Sequence, residues 1–157
     1  MTIHFTAIDT ETANAYRAGK PDDYGHKPER AISEGDGIPC RHCLKMVPKG
    51  QPYLVVAHRP FDGLNPYTET GPIFLCEHGC NRGGGDAALP EFLDSPGYIV
   101  RGYGANERIV YGSGGVVERD HIPERAETLL ARDDIEFVHV RSASNNCFHC
   151  RIDAAEG

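Results

Sequence analysis

Six cysteines fall in three close pairs: Cys40-Arg41-His42-Cys43, Cys76-Glu77-His78-Gly79-Cys80 and Cys147-Phe148-His149-Cys150. Two thiols on one short loop are half of a tetrahedral zinc site, in which four thiolates or imidazoles stand about 2.0–2.3 Å from the ion. Zinc and thiolate match in softness, and the metal keeps the sulfurs ionised at neutral pH. Strand geometry discriminates between the pairs, because residues three apart on a regular strand point to opposite faces and make a poor clamp. Cys40 and Cys43 follow Gly35-Asp36-Gly37-Ile38-Pro39, and Cys80 sits between Gly79 and Asn81-Arg82-Gly83, so both of these pairs have turn chemistry beside them. The favoured metal set is therefore Cys40, Cys43, Cys76 and Cys80 with zinc as cofactor, and the rival replaces one pair with Cys147 and Cys150. Other uses of six thiols are buried small hydrophobes, disulfides, which a reducing cytosol disfavours, and a redox dithiol. The last wants a helix opening after Cys-x-x-Cys, and no obvious helix follows Cys43 or Cys150.

Among the eight histidines, His42, His78 and His149 lie between paired cysteines, where each is a candidate ligand, a hydrogen-bond donor to a ligand, or simply an exposed polar residue. His139 alternates with Ile135 and Phe137 on one face of an expected strand. If residues 135–141 and 147–152 pair as a hairpin across Ser142-Ala143-Ser144-Asn145-Asn146, Cys147 and His149 share one face, and His139 approaches them. That is the outline of a nucleophile and its base, with Cys147 and His139 the candidate catalytic residues. The plainer reading of His139 is a hydrogen-bonded core or rim histidine. In the same register Cys150 lies on the opposite face with Phe148 and Ile152, as core. Gly83-Gly84-Gly85 and Gly112-Ser113-Gly114-Gly115 lack the Gly-Lys-Ser/Thr ending of a phosphate loop and read as turns.

The elements that must position these residues are mostly strands. Ile3, Phe5 and Ala7 alternate with polar neighbours. Tyr53-Leu54-Val55-Val56-Ala57-His58 is β-branched and bounded by turns, and Ile73-Phe74-Leu75-Cys76 follows Gly71-Pro72. Further strand-like runs cover 98–103, 108–111 and Val116-Val117. Ala88 opens a short helix in 88–93. The clear helix lies near 121–132, with Asp120 as N-cap, Pro123 in its first turn, and Ile122, Ala126, Leu129 and Leu130 on one face. Residues 19–37, rich in Pro, Gly and charge, form a long polar surface loop. Strands outnumber helices without βαβ alternation, which predicts an α+β fold with a mainly antiparallel sheet, in one domain over 1–157.

The 157 residues are enough to close a core, and 39% hydrophobic with 25% charged residues is a folding composition. A net charge of −7 argues against nucleic acid or an anionic membrane as partner through bulk electrostatics. The first 16 residues carry no basic segment before an apolar run, and no stretch of about 18 apolar residues occurs, so the expected compartment is the cytoplasm.

Pro39-Cys40-Arg41-His42-Cys43-Leu44, Gly71-Pro72-Ile73-Phe74-Leu75 and Asn146-Cys147-Phe148-His149-Cys150-Arg151, in this order, resemble the family called "domain of unknown function 1203". The likeness spans residues 38–153. It implies a small bacterial protein of one domain with a shared fold and cysteine arrangement, and no established reaction. It also implies histidine in many relatives at the position of Cys76, a swap a zinc site accepts. The glycine loop at 83–86 is not part of that pattern. Two functional classes follow from the residues. One is a zinc-stabilised domain that binds a partner or small ligand, and the other is a thiol- or zinc-dependent enzyme.

Overall fold

The computed structural model describes residues 2–155. Two antiparallel sheets and two helices make an α+β architecture, as the patterning predicts. The larger sheet has the order β1-β8-β7-β5-β6, from β1 (Ile3–Thr6), β5 (Gly97–Tyr103), β6 (Gly115–Glu118), β7 (Phe137–Ser142) and β8 (Phe148–Ala154). The smaller has the order β2-β3-β4, from β2 (Glu29–Ile32), β3 (Pro52–His58) and β4 (Gly71–Cys76). No helix among the described residues is long and apolar enough to cross a membrane.

Helix α2 (Ile122–Leu130) buries Ile122, Ala126, Leu129 and Leu130 against one face of the larger sheet, where Phe5, Val100, Val138, Val140, Cys150 and Ile152 meet it. A 3-10 turn, Arg119–His121, precedes it, so Asp120 lies inside that turn and no side chain caps α2. The other sheet face carries Phe137, His139, Phe148, Tyr103 and Phe61, packed as a run of rings. Because both faces are covered, β7 is buried from Phe137 to Arg141 rather than alternating.

One element was not anticipated, and three expectations need correction. Helix α1 (Thr10–Arg17) exists although its sequence is polar, because Asp9 caps it by accepting from the Thr12 amide, and only Ala13 and Tyr16 are buried. The 19–37 segment is not all loop. Its residues 29–32 add β2 to the edge of β3, where hydrogen bonding needs no apolar face. No helix forms in 88–93, and the 108–111 run contributes only the bridge of Ile109 with Tyr103.

The hairpin of β7 and β8 does form, but Val140 opposes Cys150 while Arg141 opposes Phe148. His149 is the extra residue of this bulge. It turns away from Phe148, stands against the Phe92 and Tyr98 rings, and donates from Nδ1 to the Cys147 carbonyl at 3.0 Å. Phe148 packs instead on the His139 ring, with centroids 4.8 Å apart. Cys150 and Ile152 keep the core positions expected of them.

Burial holds His149 neutral and pushes its pKa down to about 4, with the Arg41 charge adding to the effect. Burial likewise drives His58 down to about 4. The unfolded chain then binds more protons than the folded one between about pH 6.5 and 4, so stability is full above this window and falls as pH drops through it. Urea unfolding is expected to show a loss on the order of 1 kcal/mol per histidine between pH 7 and 5. His149→Gln should show a smaller loss over the same interval; an unchanged slope would contradict the buried neutral imidazole.

Candidate metal centre

The Cys40 pair sits on a tight turn. The Cys40 amide donates to the Lys45 carbonyl at 2.9 Å, the Leu44 amide donates back to the Cys40 carbonyl at 3.0 Å, and Leu44 takes a left-handed φ of 59° to close it. The turn is tied to β4 by the Arg41 amide, which donates to the Phe74 carbonyl at 3.0 Å. Cys76 ends β4, and the chain then bends so that Cys80 returns to the same point. The Sγ atoms of Cys40, Cys43, Cys76 and Cys80 all lie within 4.8 Å of one another and could hold a metal ion.

One distance identifies the geometry. Cys40 Sγ and Cys80 Sγ are 3.9 Å apart, far beyond the roughly 2.05 Å of a disulfide and close to the edge, about 3.8 Å, of a tetrahedron with 2.3 Å metal–sulfur bonds. All six cysteines are free thiols. The rival pair takes no part in the cluster. Cys150 is fully buried in the core, where desolvation raises its thiol to about 12. Cys147 lies in the hairpin turn with its Sγ 3.8 Å from the Asn145 carbonyl.

Donors surround the sulfurs. The Cys76 amide points at Cys40 Sγ at 3.3 Å, and Arg17 Nη2 at Cys80 Sγ at 3.2 Å, while Arg17 Nε holds the Cys76 carbonyl at 2.8 Å. His42 Nδ1 is 3.1 Å from Cys80 Sγ, and its Nε2 is 2.9 Å from the Thr10 hydroxyl. With Nδ1 donating to the sulfur, Nε2 accepts from Thr10, and the tautomer is fixed from both ends. His42 thus acts through Cys80. His78 borders the depression beside Cys43, Cys76 and Cys80, and no hydrogen bond joins it to the sulfurs among the described residues.

The mutual hydrogen bonds of the four sulfurs split their titration. Cys40, supported chiefly by Cys43, is lowered to about 6, and Cys80 falls further, supported by the three other cysteines and by His42. Cys43 is pushed up, first by the charge-bearing Cys40 sulfur, and Cys76 is pushed up by the same crowding. Shifts of opposite sign within one cluster reflect the crowding of four sulfurs at one point.

The candidate nucleophile and base do not meet. His139 faces Arg151 across the ladder, its Nδ1 is 3.5 Å from Arg141 Nη2, and its Nε2 has no partner among the described residues. The bulge at His149 is the reason, since it ends the regular strand before Cys147 is reached. Sequence reasoning missed Arg17, whose helix it did not foresee, and Arg41. Arg41 is almost wholly buried and spans from the thiol turn to the larger sheet, donating from Nε to the Phe148 carbonyl and from Nη1 to the Pro39 carbonyl.

Fold and centre together define a small two-sheet α+β protein organised around a four-cysteine cluster. The chain belongs to the DUF1203 family of proteins of unknown function, whose sequence profile matches residues 37–154. No curated protein and no solved structure matches it.

The glycine loop after Cys80 is fitted to the thiol turn. A Cβ at Gly83 would overlap the Cys43 carbonyl, and one at Gly84, whose φ is +76°, would overlap the Phe5 carbonyl. Gly83→Ala is expected to destabilise the protein by about 2 kcal/mol, read as a lowered denaturation midpoint, whereas Gly79→Ala, with open space around it, should change the midpoint little.

Proposed function

We propose that this chain is a zinc-stabilised binding domain in which Cys40, Cys43, Cys76 and Cys80 hold one structural zinc ion. The observation that carries the reading is the convergence of four sulfurs within 4.8 Å, with the 3.9 Å edge suited to tetrahedral ligation. Thiolates select zinc over hard cations such as magnesium or calcium. Four protein ligands leave no position for a water, so the ion would fasten the turn at Cys40, the end of β4 and the Cys80 loop rather than activate a nucleophile. Arg17, His42 and the Cys76 amide would disperse the excess negative charge of four thiolates around a divalent ion. The alternative, an enzyme using Cys147 with His139, finds no support in the contacts of either residue.

Elemental analysis of purified protein is expected to give about one zinc per chain, and a strong chelator should lower the melting temperature, because the binding energy of a structural zinc is folding energy. A metal-free protein of unchanged stability would sink the reading. Cys40→Ser and Cys76→Ser should lose the ion. Cys150→Ser should keep it and cost only a core penalty; zinc loss there would favour the rival pair.

Thiol accessibility offers a separate check. With zinc in place, brief iodoacetamide treatment should modify Cys147 alone, since Cys150 is fully buried and the other four are ligated. After chelation under native conditions Cys43, Cys76 and Cys80 should join it, while Cys40, as buried as Cys150, stays protected. Labelling of those three at the same rate before and after chelation would contradict a ligated cluster.

A further inference from the structure

The ring-bearing face of the larger sheet does not close fully against the smaller sheet. Two cavities of about 380 and 520 Å³ lie there, sharing His58, Pro60 and Phe148 as a common wall. The first is floored by His139 and Arg151 and walled by Ala7, Ile8 and Arg82, and the second is bounded by Arg141, Glu69 and Thr68. Sizes in this range suit small molecules.

The polar groups of this cleft are unevenly satisfied. Two buried side-chain nitrogens lack any partner among the described residues, His139 Nε2 and Arg141 Nε, and both belong to residues of β7 that face it. Both are donors. Arg141 Nη2 can only donate to His139 Nδ1, so the neutral ring carries its proton on Nε2. His139 is 0% exposed, and an unpaired buried donor is costly enough that native structures rarely leave one.

The carboxylates around these donors are already engaged. Arg101 and Arg141 share the single carboxylate of Glu69, each at 2.7 Å. Arg151 gives only Nε, at 2.8 Å, to Asp153, which also accepts from the Thr6 hydroxyl, and its guanidinium rests 4.2 Å from the Phe137 ring centroid. Arg82 gives Nη2 to the Ala7 carbonyl at 2.7 Å, and the nearby Asp9 is engaged by the Thr12 hydroxyl and amide. Among the residues lining the two cavities, Arg82, Arg141 and Arg151 thus face Asp9, Glu69 and Asp153, and the donors left without a partner among the described residues include the Nη groups of Arg151 and the two buried nitrogens.

We propose that the inter-sheet cleft binds a small organic anion, a carboxylate or phosphate whose oxygens accept from His139 Nε2 and the free Nη groups of Arg151, with its apolar body against Phe148, Pro60 and Ile8. The anion satisfies the orphaned donor and the guanidinium positions of Arg151 that Asp153 leaves open. This rests on the reading of the chain as a binding domain and does not depend on the metal, whose ligands lie outside both cavities.

Isothermal titration calorimetry on the zinc-loaded full chain at low ionic strength, with inorganic phosphate and with benzoate as probes, tests it. Saturable binding of either probe is expected, and the one bound more tightly assigns the anion class. Arg151→Gln, at the half-exposed rim, should weaken binding about tenfold or more. His139→Phe, which keeps an aromatic ring among Phe61, Phe137 and Phe148 but removes the donor, should weaken it similarly while raising the melting temperature of the free protein, as loss of a buried unpaired group predicts. No saturable binding of either probe, or binding unchanged in both variants, overturns the proposal. Zinc content measured on the same samples separates that outcome from failure of the metal reading.

Discussion

Four sulfurs within 4.8 Å of one another pose an electrostatic problem that the surrounding chain is arranged to solve. Thiolates at that spacing repel strongly in a partly buried setting, so without a cation only some ionise. The fold nevertheless uses several long-range connections to bring them together. The thiol turn takes a parallel bridge from Phe74, an amide from Ile8 into the Arg41 carbonyl, and an amide from Gly83 into the His42 carbonyl. Helix α1 contributes Arg17 and Thr10. Loss of the cluster would therefore loosen the start of α1, the end of β4 and the glycine loop together.

Arg41 shows how the centre communicates with the rest of the molecule. Its guanidinium is buried without a carboxylate partner, and burial lowers its pKa to about 10, opposed by nearby cysteine charges that include Cys40. A buried cation of this kind is costly unless hydrogen-bonded and offset by negative charge. The Pro39 and Phe148 carbonyls supply the hydrogen bonds, and the nearby sulfurs of Cys147, Cys40 and Cys150 supply the compensating field. The same residue reaches β8 at Phe148, the side chain that separates the two halves of the inter-sheet cleft. Thiol cluster and cleft are thus attached to opposite ends of one arginine.

The thiol cluster was legible in the sequence because close cysteine pairs leave few geometric choices, and the preference for Cys40, Cys43, Cys76 and Cys80 over Cys147 and Cys150 followed from strand alternation together with the turn residues beside the favoured pairs. The apolar stripe of α2 and the strands at 53–58 and 73–76 were legible for the same reason, a periodic pattern facing a core. What escaped was structure made by hydrogen bonds without an apolar signal. Helix α1 rests on a cap and two buried residues, and β2 is an edge strand with exposed side chains. The bulge at His149 escaped as well, since a one-residue insertion in a ladder leaves no mark on composition.

That bulge decides which chemistry β7 and β8 can support. In a regular register with His139 opposite Arg151, His149 and Cys147 would follow Arg151 on the face that holds His139. With the extra residue at His149, the face holding His139 receives Phe148 after Arg151 instead. A thiol is exchanged for a ring. His139 is then fully desolvated, with its pKa held well below the ordinary histidine value by burial and by the charges of Arg141, Arg151 and Arg101. An imidazole so unwilling to take a proton is a poor general base for a cysteine, because base catalysis needs a pKa near the working pH. Kept neutral, it remains a fixed N–H donor among cations, an arrangement that an anion would satisfy.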